Sequence, residues 1–184
     1  MKISTRLALI VSCSAVGLVL IGGIALSEIR STMMAEREAR IVTLLKLSTG
    51  ILQRYHEQEK AGTLTREQAQ AHAREALLGL QSDDHYMFAR SADDVLLAHV
   101  RKEKLGQKDN GGVAPDGRTN TDVYREALAK ADPAFVTVPA KKPGASEALP
   151  KMNGVTHFAP WGWTLGTGFF VDDIEQAFKS YALT

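Results

Sequence analysis

The first strong pattern in the chain is an uncharged apolar segment from Leu7 to Leu26. At 1.5 Å per residue, about twenty helical residues cross a hydrocarbon core of about 30 Å. Lys2 and Arg6 precede the segment, so the positive-inside rule places the N-terminus in the cytoplasm and the residues after 27 outside it. The pattern predicts a cytoplasmic N-terminus and transmembrane anchor over residues 1–27.

A cleaved signal peptide is the alternative interpretation of this segment, because Ala25-Leu26-Ser27 loosely resembles a small-residue cleavage site. The apolar region of a usual signal peptide is shorter, about 7–15 residues. The length therefore favours an uncleaved anchor, with the cleaved form as the alternative.

Residues 28–60 have the pattern of a long amphipathic helix leading from the membrane into the domain. They contain no proline, and apolar or small residues recur at three- and four-residue intervals. These positions are Ile41, Leu44, Leu45, Leu47, Ser48, Ile51, Leu52 and Tyr55. Such a stripe needs the rest of the domain or a second subunit to cover it, so we expect a homodimer. Thr65 and Gln68 have capping-box spacing and predict a second helix as far as Leu80.

After Ser82 the period changes to short segments rich in aromatic and aliphatic residues, which are typical of strands. We predict strands at His85–Arg90, Val95–Val100, Ala134–Pro139, Met152–Ala159 and Trp163–Val171. Turns are expected at residues 91–94 and 141–144, and a short helix at Asp122–Lys130. Asp172-Asp173 in a first turn predict a final helix, Ile174–Leu183. The predicted class is α+β, with an antiparallel sheet of about five strands.

Composition and charge exclude several functions. The formal net charge is +1 without a basic face, which argues against a nucleic-acid partner. The single cysteine, Cys13, lies in the anchor, so the domain has neither a disulfide nor a reactive thiolate. The histidines lack paired ligand spacing, and Gly166-Thr167-Gly168 lacks the rest of a dinucleotide motif. We predict no metal, no cofactor and no catalysis, and interpret the charged run 101–104 as a solvated loop.

Several short motifs occur in the order and spacing of a known family. They are Tyr86-Met87-Phe88, Leu97-Ala98-His99, Leu105-Gly106-Gln107-Lys108, Pro115-Asp116-Gly117, Lys142-Pro143-Gly144, Pro150-Lys151, residues 158–163 (FAPWGW) and residues 166–174 (GTGFFVDDI). They resemble the single Cache domain of the second type, a PAS-like sensor module of bacterial chemoreceptors and some sensor kinases. The resemblance runs from about Leu44 to the end. It implies a PAS-like ligand-binding domain over 61–171 and an exit helix, 172–184, leading toward a second transmembrane segment.

The chain departs from the family at positions near the implied ligand. Val100 follows His99 where the family usually has proline, and Pro115-Asp116-Gly117 stands where an Asp-Pro-x-Gly pattern is common. Gly154 and Phe170 stand where tyrosine is frequent, so two hydroxyl groups are missing.

The resemblance implies a pocket on one sheet face for a small organic acid such as acetate, propionate, lactate or pyruvate. A buried carboxylate needs a cation and hydrogen-bond donors. Lys151 is the candidate cation, and the alternative is a lysine that extends to solvent. His99 would donate to the second carboxylate oxygen, and the alternative is a core histidine bonded to a backbone carbonyl.

Tyr86 offers a phenolic donor to this pocket, and Asn153 is a weaker extra donor. The remaining aromatic candidates are expected to form apolar wall or plain core, with core favoured for the two tryptophans. They are Phe88, Trp161, Trp163 and Phe170.

Together these features predict the extracytoplasmic sensor domain of a transmembrane chemoreceptor of the methyl-accepting type. We expect it in the bacterial inner membrane, with the sensor in the periplasm or outside the cell, signalling through displacement of the exit helix. The alternatives are the input domain of a sensor histidine kinase or diguanylate cyclase, and a stand-alone anchored binding protein.

Overall fold

The computed structural model describes residues 3–80, 86–114, 116–142 and 145–173. In chain order its helices are α1 (Ile3–Lys60), α2 (Arg66–Leu78) and α3 (Asn120–Leu128). Its strands are β1 (Phe88–Arg90), β2 (Leu96–Ala98), β3 (Ala134–Lys141), β4 (Ala148–Phe158) and β5 (Trp163–Phe170). The predicted α+β class, with a long N-terminal helix and a five-stranded antiparallel sheet, is confirmed.

Helix α1 contains both the apolar segment and the amphipathic stripe found in the sequence. Its part from Ser14 onward includes a stretch long and apolar enough to cross a membrane, a test that a signal sequence also passes. The chain divides into two units, and α1 contributes to both: its residues through Glu36 to one, its remainder to the other. The sheet, α2, α3 and the cavities below all lie within the second unit, Arg37–Asp173.

Within Arg37–Asp173, α1 buries one stripe of side chains against the domain. Ile41, Leu45, Ser48 and Leu52 are buried at the three- and four-residue spacing of one helix face. Leu47 belongs to the same sequence pattern but is 58% exposed, because it lies on another side of the helix. It remains available to a second subunit.

The sheet has the strand order β2-β1-β5-β4-β3, and every neighbouring pair is antiparallel. The β3–β4 hairpin is longer than predicted, because pairing continues past Pro139 and Pro150 to Lys141 and Ala148. Lys141, which we expected in a turn, is therefore the last residue of β3. In contrast, β1 and β2 have three residues each and are shorter than predicted, and His85 lies outside the described residues.

The two short helices begin with capping boxes. Thr65 and Gln68 form the predicted box at the start of α2. Helix α3 starts at Asn120 rather than at the predicted Asp122, because Thr119 is its N-cap: the Thr119 hydroxyl accepts from the Asp122 N–H, and the Asp122 carboxylate accepts from the Thr119 N–H. The carboxylate we placed at the helix start is thus the third residue of the first turn.

Both faces of the sheet are buried. Alternation along β4 points Lys151 and Asn153 to the face that α3 covers, whereas Gly154 points to the face that α1 covers. A Cβ built on Gly154 would lie 2.3 Å from Ile41 Cγ2, so the large aromatic residue common in the family has no space here. On the α3 face the core consists of Phe88, Tyr124, Ala134, Val138 and Val155.

Gly166 allows the ring of Phe88 to lie flat on the sheet. The two residues pair across β1 and β5, and a Cβ at Gly166 would lie 2.2 Å from Phe88 Cζ. We predict that Gly166→Ala lowers the free energy of unfolding by about 1–3 kcal/mol, because the ring is buried and must shift. Thermal unfolding of the two proteins would measure the loss.

Gly50→Ala is the matched control for this prediction. Gly50 is exposed on α1 with open space around its Cα, so the same substitution should stabilise the helix by about 0.5–1 kcal/mol. Equal effects of the two substitutions would contradict the packing argument.

The end of the described chain is helical at residues 171–173. The predicted final helix, Ile174–Leu183, lies outside the described residues. The domain boundaries drawn from the sequence therefore remain predictions.

Candidate functional site

A small cavity of about 50 Å³ lies on the α3 face of the sheet, where β1, β4 and α3 meet the loop after β2. A single water needs about 10–15 Å³ of such space, so the cavity holds only a few non-hydrogen atoms. Five predicted site residues line it: Tyr86, Phe88, His99, Lys151 and Asn153. The side chains that the sequence did not indicate are Arg90, Arg101, Asp109, Asn120, Tyr124 and Lys141.

Lys151 is buried at the inner end of this cavity. It is 2% exposed and does not extend to solvent, because β4 pairs it with Val138 and Phe170 in the middle of the sheet. Its Nζ lies 3.9 Å from the centroid of the Tyr86 ring and 5.4 Å from that of Phe170. Burial, and secondarily the charge of Arg101, lower the pKa of Lys151 from 10.5 to about 7.

The buried ammonium of Lys151 has no anionic partner within the part of the chain that the structure describes: no carboxylate there forms an ion pair with it or raises its pKa. Aromatic rings attract a cation through their π faces but do not neutralise it. A buried cation without an anionic partner is unfavourable, so it tends either to lose its proton or to bind an anion.

His99 is held in one tautomer beside Lys151. Its Nδ1 accepts a hydrogen bond from the backbone N–H of Arg101 at 2.9 Å, so the ring proton resides on Nε2. Its ring meets that of Tyr86 edge to face at 5.0 Å. Burial, together with the positive charges of Arg101, Lys151 and Arg90, lowers the pKa of His99 to about 4. A neutral histidine with a free Nε2–H is a hydrogen-bond donor at neutral pH, and its backbone partner is an N–H rather than the carbonyl we considered.

Arg90 and Asp109 form an ion pair at the wall of the cavity. The Arg90 guanidinium donates to the backbone carbonyl of Asp109 and, at 3.3 Å, to its Oδ1. Lys104 donates to Oδ2 at 2.5 Å and the Gly111 N–H to Oδ1 at 2.6 Å. Burial favours the neutral acid, but these donors outweigh it and lower the pKa of Asp109 to about 2. The one carboxylate among the described lining residues is therefore already fully partnered.

Asn120 fixes the loop that covers the cavity. Its Nδ2 donates to the carbonyl of Gly111 at 2.6 Å and to that of Pro139 at 2.9 Å, which ties the loop to β3. Gly111 has φ 76°, and a Cβ there would lie 3.1 Å from Asn120 Cβ. The turn that we inferred around Gly111 is thus also a wall of the cavity.

Asn153 and Tyr124 supply further polar atoms. Asn153 Nδ2 donates to the Tyr124 hydroxyl at 2.9 Å, and Asn153 Oδ1 is buried without a hydrogen-bond partner among the described residues. Burial raises the pKa of Tyr124 to about 12, so its hydroxyl stays protonated.

The structure does not bring Trp161 and Trp163 to the cavity. Their rings pack on each other at 4.9 Å, and Trp161 Nε1 donates to Glu59 of α1 at 2.7 Å. This arrangement agrees with the core alternative for both residues. Phe170 lies behind Lys151 and outside the lining of the cavity.

Sequence reasoning missed the arginines for identifiable reasons. Arg90 follows Phe88 by two residues, so strand alternation could have placed both on one face. Arg101 and Lys104 lie in the mixed charged run that we assigned to solvent, and the structure corrects this: Arg101 lines the cavity and Lys104 holds Asp109. No local pattern identified Asp109, because its contacts depend on a long loop.

The cavity adjoins an open cleft of about 840 Å³, and the two share Arg101, Asp109, Gly111, Ala140 and Lys141 as lining residues. Lys104 and Lys108 also line this cleft, as do Asp93 and Asp94, so its lining is mixed in charge. Across the described ranges, the structure has no group of three or more His, Cys, Asp or Glu side chains that could hold a metal ion. The ammonium of Lys151, which is unpaired among the described residues, favours a small anion in the small cavity.

Residues 33–183 match the family described as Single Cache domain 2. The methyl-accepting chemotaxis protein McpP of Pseudomonas putida is 33% identical to this chain over 183 residues. That alignment covers 97% of this chain and 33% of McpP, so the chain spans about a third of the relative's length.

Solved structures of chemotaxis sensor domains are also similar to this chain. A periplasmic sensor domain of a chemotaxis protein is similar with a TM-score of 0.69 and 27% identity, covering 76% of this chain and 99% of that one. A Cache chemosensory domain, described with a structural basis for carboxylic acid recognition, has a TM-score of 0.67 and 30% identity over 77% and 98% of the two chains. A methyl-accepting chemotaxis protein from Vibrio parahaemolyticus, at 22% identity and a TM-score of 0.65 over 81% and 98%, supports the fold alone.

The matched family and the matched region of McpP are sensor domains of chemoreceptors, which bind ligands and do not catalyse reactions, so the prediction of a non-enzymatic sensor is confirmed. Cache domains of chemoreceptors are extracytoplasmic parts of membrane proteins, and the apolar segment of α1 is consistent with that location. The family match covers most of the chain and agrees with the sheet topology. This chain belongs to the Single Cache domain 2 family.

Proposed function

We propose that this chain is the ligand-binding region of a transmembrane chemoreceptor and that it recognises a short carboxylate of the acetate, propionate, lactate or pyruvate class. The observation that carries the proposal is the buried Lys151 ammonium, which faces a cavity and has no carboxylate partner among the described residues. A ligand carboxylate would supply the missing charge. The structural relative described for carboxylic acid recognition supports this choice.

The size of the cavity restricts the ligand. About 50 Å³ accommodates a carboxylate and one or two further carbon atoms. A longer acid would have to extend past Arg101 and Lys141 into the open cleft. The volume therefore favours acids with two or three carbon atoms.

The charges around the cavity select an anion. Arg90 and Lys104 both pair with Asp109, whereas Lys151 and Arg101 lack an ion pair within the described part of the chain. His99 Nε2–H and the Tyr86 hydroxyl are available as additional neutral donors. A carboxylate bound at Lys151 would thus meet one ammonium and up to two hydrogen-bond donors, the arrangement that offsets its desolvation.

The proposed receptor resides in the bacterial inner membrane, with this domain in the periplasm or outside the cell. It acts as a homodimer through α1, on which Leu47 is exposed. The ligand signals by displacing the segment after Val171. A ligand can shift this segment only if it binds one of its two positions more tightly than the other, so the bound acid must favour one position.

The charge requirement can be tested with the full 184-residue chain in lipid nanodiscs. We predict that acetate or propionate raises the melting temperature, whereas acetamide, which has the same shape without the charge, does not. At 100 times the dissociation constant a ligand adds about 2.7 kcal/mol, or about 5–10 °C for a chain of this size. An equal shift with acetamide, or no shift with any of the four acids, would contradict the proposed function.

A further inference from the structure

Lys142 joins the end of β3 to the residues that follow β5. Its Nζ donates to Asp172 Oδ2 and to Asp173 Oδ1, each at 2.8 Å. Both aspartates lie in the helical residues 171–173, where the described chain leaves the sheet. We call Lys142, Asp172 and Asp173 the clasp.

Phe170 lies between the clasp and the cavity. The centroid of its ring is 5.2 Å from Lys142 Nζ and 5.4 Å from Lys151 Nζ. Phe170 is buried and is the register partner of Lys151 in the β4–β5 ladder. One ring therefore contacts both the ammonium that faces the ligand cavity and the ammonium that holds the exit from the sheet.

We propose that the clasp is a latch that ligand binding loosens, with the Phe170 ring as the connection between Lys151 and Lys142. This inference rests on the proposed function, since it assigns the route by which a bound acid reaches the exit segment. A bound carboxylate draws the Lys151 ammonium toward the cavity and off the ring. Because the protein interior is close-packed, the ring follows into the space that Lys151 leaves, and Lys142 loses its contact with the ring face.

The ion pairs that keep the clasp closed are weak. Its three side chains are partly exposed, at 27–46%, and ion pairs with that exposure are weak. In addition, Asp172 Oδ1 is buried without a hydrogen-bond partner among the described residues. The closed arrangement is thus incompletely satisfied, so a modest differential affinity of the ligand for the open form can shift the equilibrium.

Linkage gives a direct test on the full chain in nanodiscs, with acetate or propionate titrated by calorimetry. If the ligand opens the clasp, opening the clasp by mutation must favour the ligand. We expect Lys142→Met and the double variant Asp172→Asn/Asp173→Asn each to lower the dissociation constant about fivefold, at the small end of typical couplings.

The two variants separate a latch from a simple field effect. Lys142→Met removes a positive charge near an anion site and the double variant removes negative charge, so electrostatics alone would shift their dissociation constants in opposite directions. Tighter binding in both supports the latch. Opposite shifts, weaker binding in both or unchanged binding would overturn it.

Two further proteins complete the experiment. Arg118→Met breaks an exposed ion pair with Asp116 and Glu126 away from the cavity and should leave the dissociation constant unchanged. In a Phe170→Leu background, Lys142→Met should lose most of its effect, because the connecting ring is gone; a persistent fivefold effect would overturn the route. If the parent chain binds none of the four acids, the proposed function is wrong and the latch falls with it. If the parent chain binds acid but the clasp variants do not both bind it more tightly, the latch is wrong and the proposed function stands.

Discussion

Replacing Lys151 with methionine is expected to abolish acid binding and, at the same time, to stabilise the ligand-free chain. An unpaired buried ammonium opposes folding, and methionine fills a similar volume without charge. The same change leaves a bound carboxylate without its cation, which costs about 3 kcal/mol or more and weakens binding more than a hundredfold. We expect the melting temperature to rise by about 2–4 °C for each kcal/mol gained.

Thermal unfolding with and without acetate measures both parts of this prediction on one sample. Lys102→Met is the control, because it makes the same chemical change in an exposed turn outside the cavity lining. It should bind acid like the parent chain. Retained binding in Lys151→Met would remove this lysine from the site, and a large loss of stability would show that the ammonium has a partner that helps folding.

The combination of better folding and lost binding distinguishes a ligand site from a structural lysine. A lysine that stabilises the fold through an ion pair would destabilise the chain when replaced. A lysine kept for a ligand shows the opposite, because binding sites retain groups that the folded protein alone does not favour.

The elements of the fold could be predicted because each has a local cause. The period of apolar residues identified α1 and the strands, and the capping box at Thr65 fixed the start of α2. The ends of elements could be predicted less well where a neighbouring strand determines them. Strand β3 extends to Lys141 only because β4 pairs with it. The start of α3 was predicted two residues late, because Thr119, which caps it, was not recognised.

The candidate site could be predicted only in part, for the same reason. Lys151, His99 and Tyr86 were identified through short family motifs, and the structure brings all three to one cavity. Asp109 and Asn120 join them through a loop whose path depends on long-range hydrogen bonds, which no local pattern encodes. The tryptophans stood in a strong motif, but the hydrogen-bond partner of Trp161 is Glu59, about a hundred residues earlier in the chain.

The affinity for acetate is expected to fall as the pH rises above about 7, by up to tenfold for each pH unit. In the free protein, burial first and the charge of Arg101 second lower the pKa of Lys151 to about 7. A bound carboxylate stabilises the ammonium and raises that pKa, so binding above pH 7 takes up one proton. Isothermal titration between about pH 6 and pH 9 would measure the slope, and buffers of different ionisation enthalpy would count the proton.

Other shifted groups at the cavity keep one protonation state over this range. The pKa of His99 is about 4 and that of Asp109 about 2, whereas burial raises the pKa of Tyr86 from its ordinary value and that of Tyr124 to about 12. Simple carboxylic acids ionise near the pKa of glutamate, about 4.3, so the ligand is charged throughout. A flat affinity profile with no proton uptake would contradict the assignment of Lys151 as the titrating cation.

Stability without ligand should have the opposite pH dependence. The pKa of Lys151 is lower in the folded chain, about 7, than its ordinary value of 10.5, so the unfolded chain binds more protons between these values. Stability contributed by this group therefore rises as the pH increases from about 7 to 10, by up to about 1.4 kcal/mol per pH unit. In Lys151→Met this slope should vanish. A ligand-free chain that gains stability over the pH range in which it loses affinity for acid would identify one buried amine as the cause of both, because burial lowers the pKa of this amine and a bound carboxylate raises it.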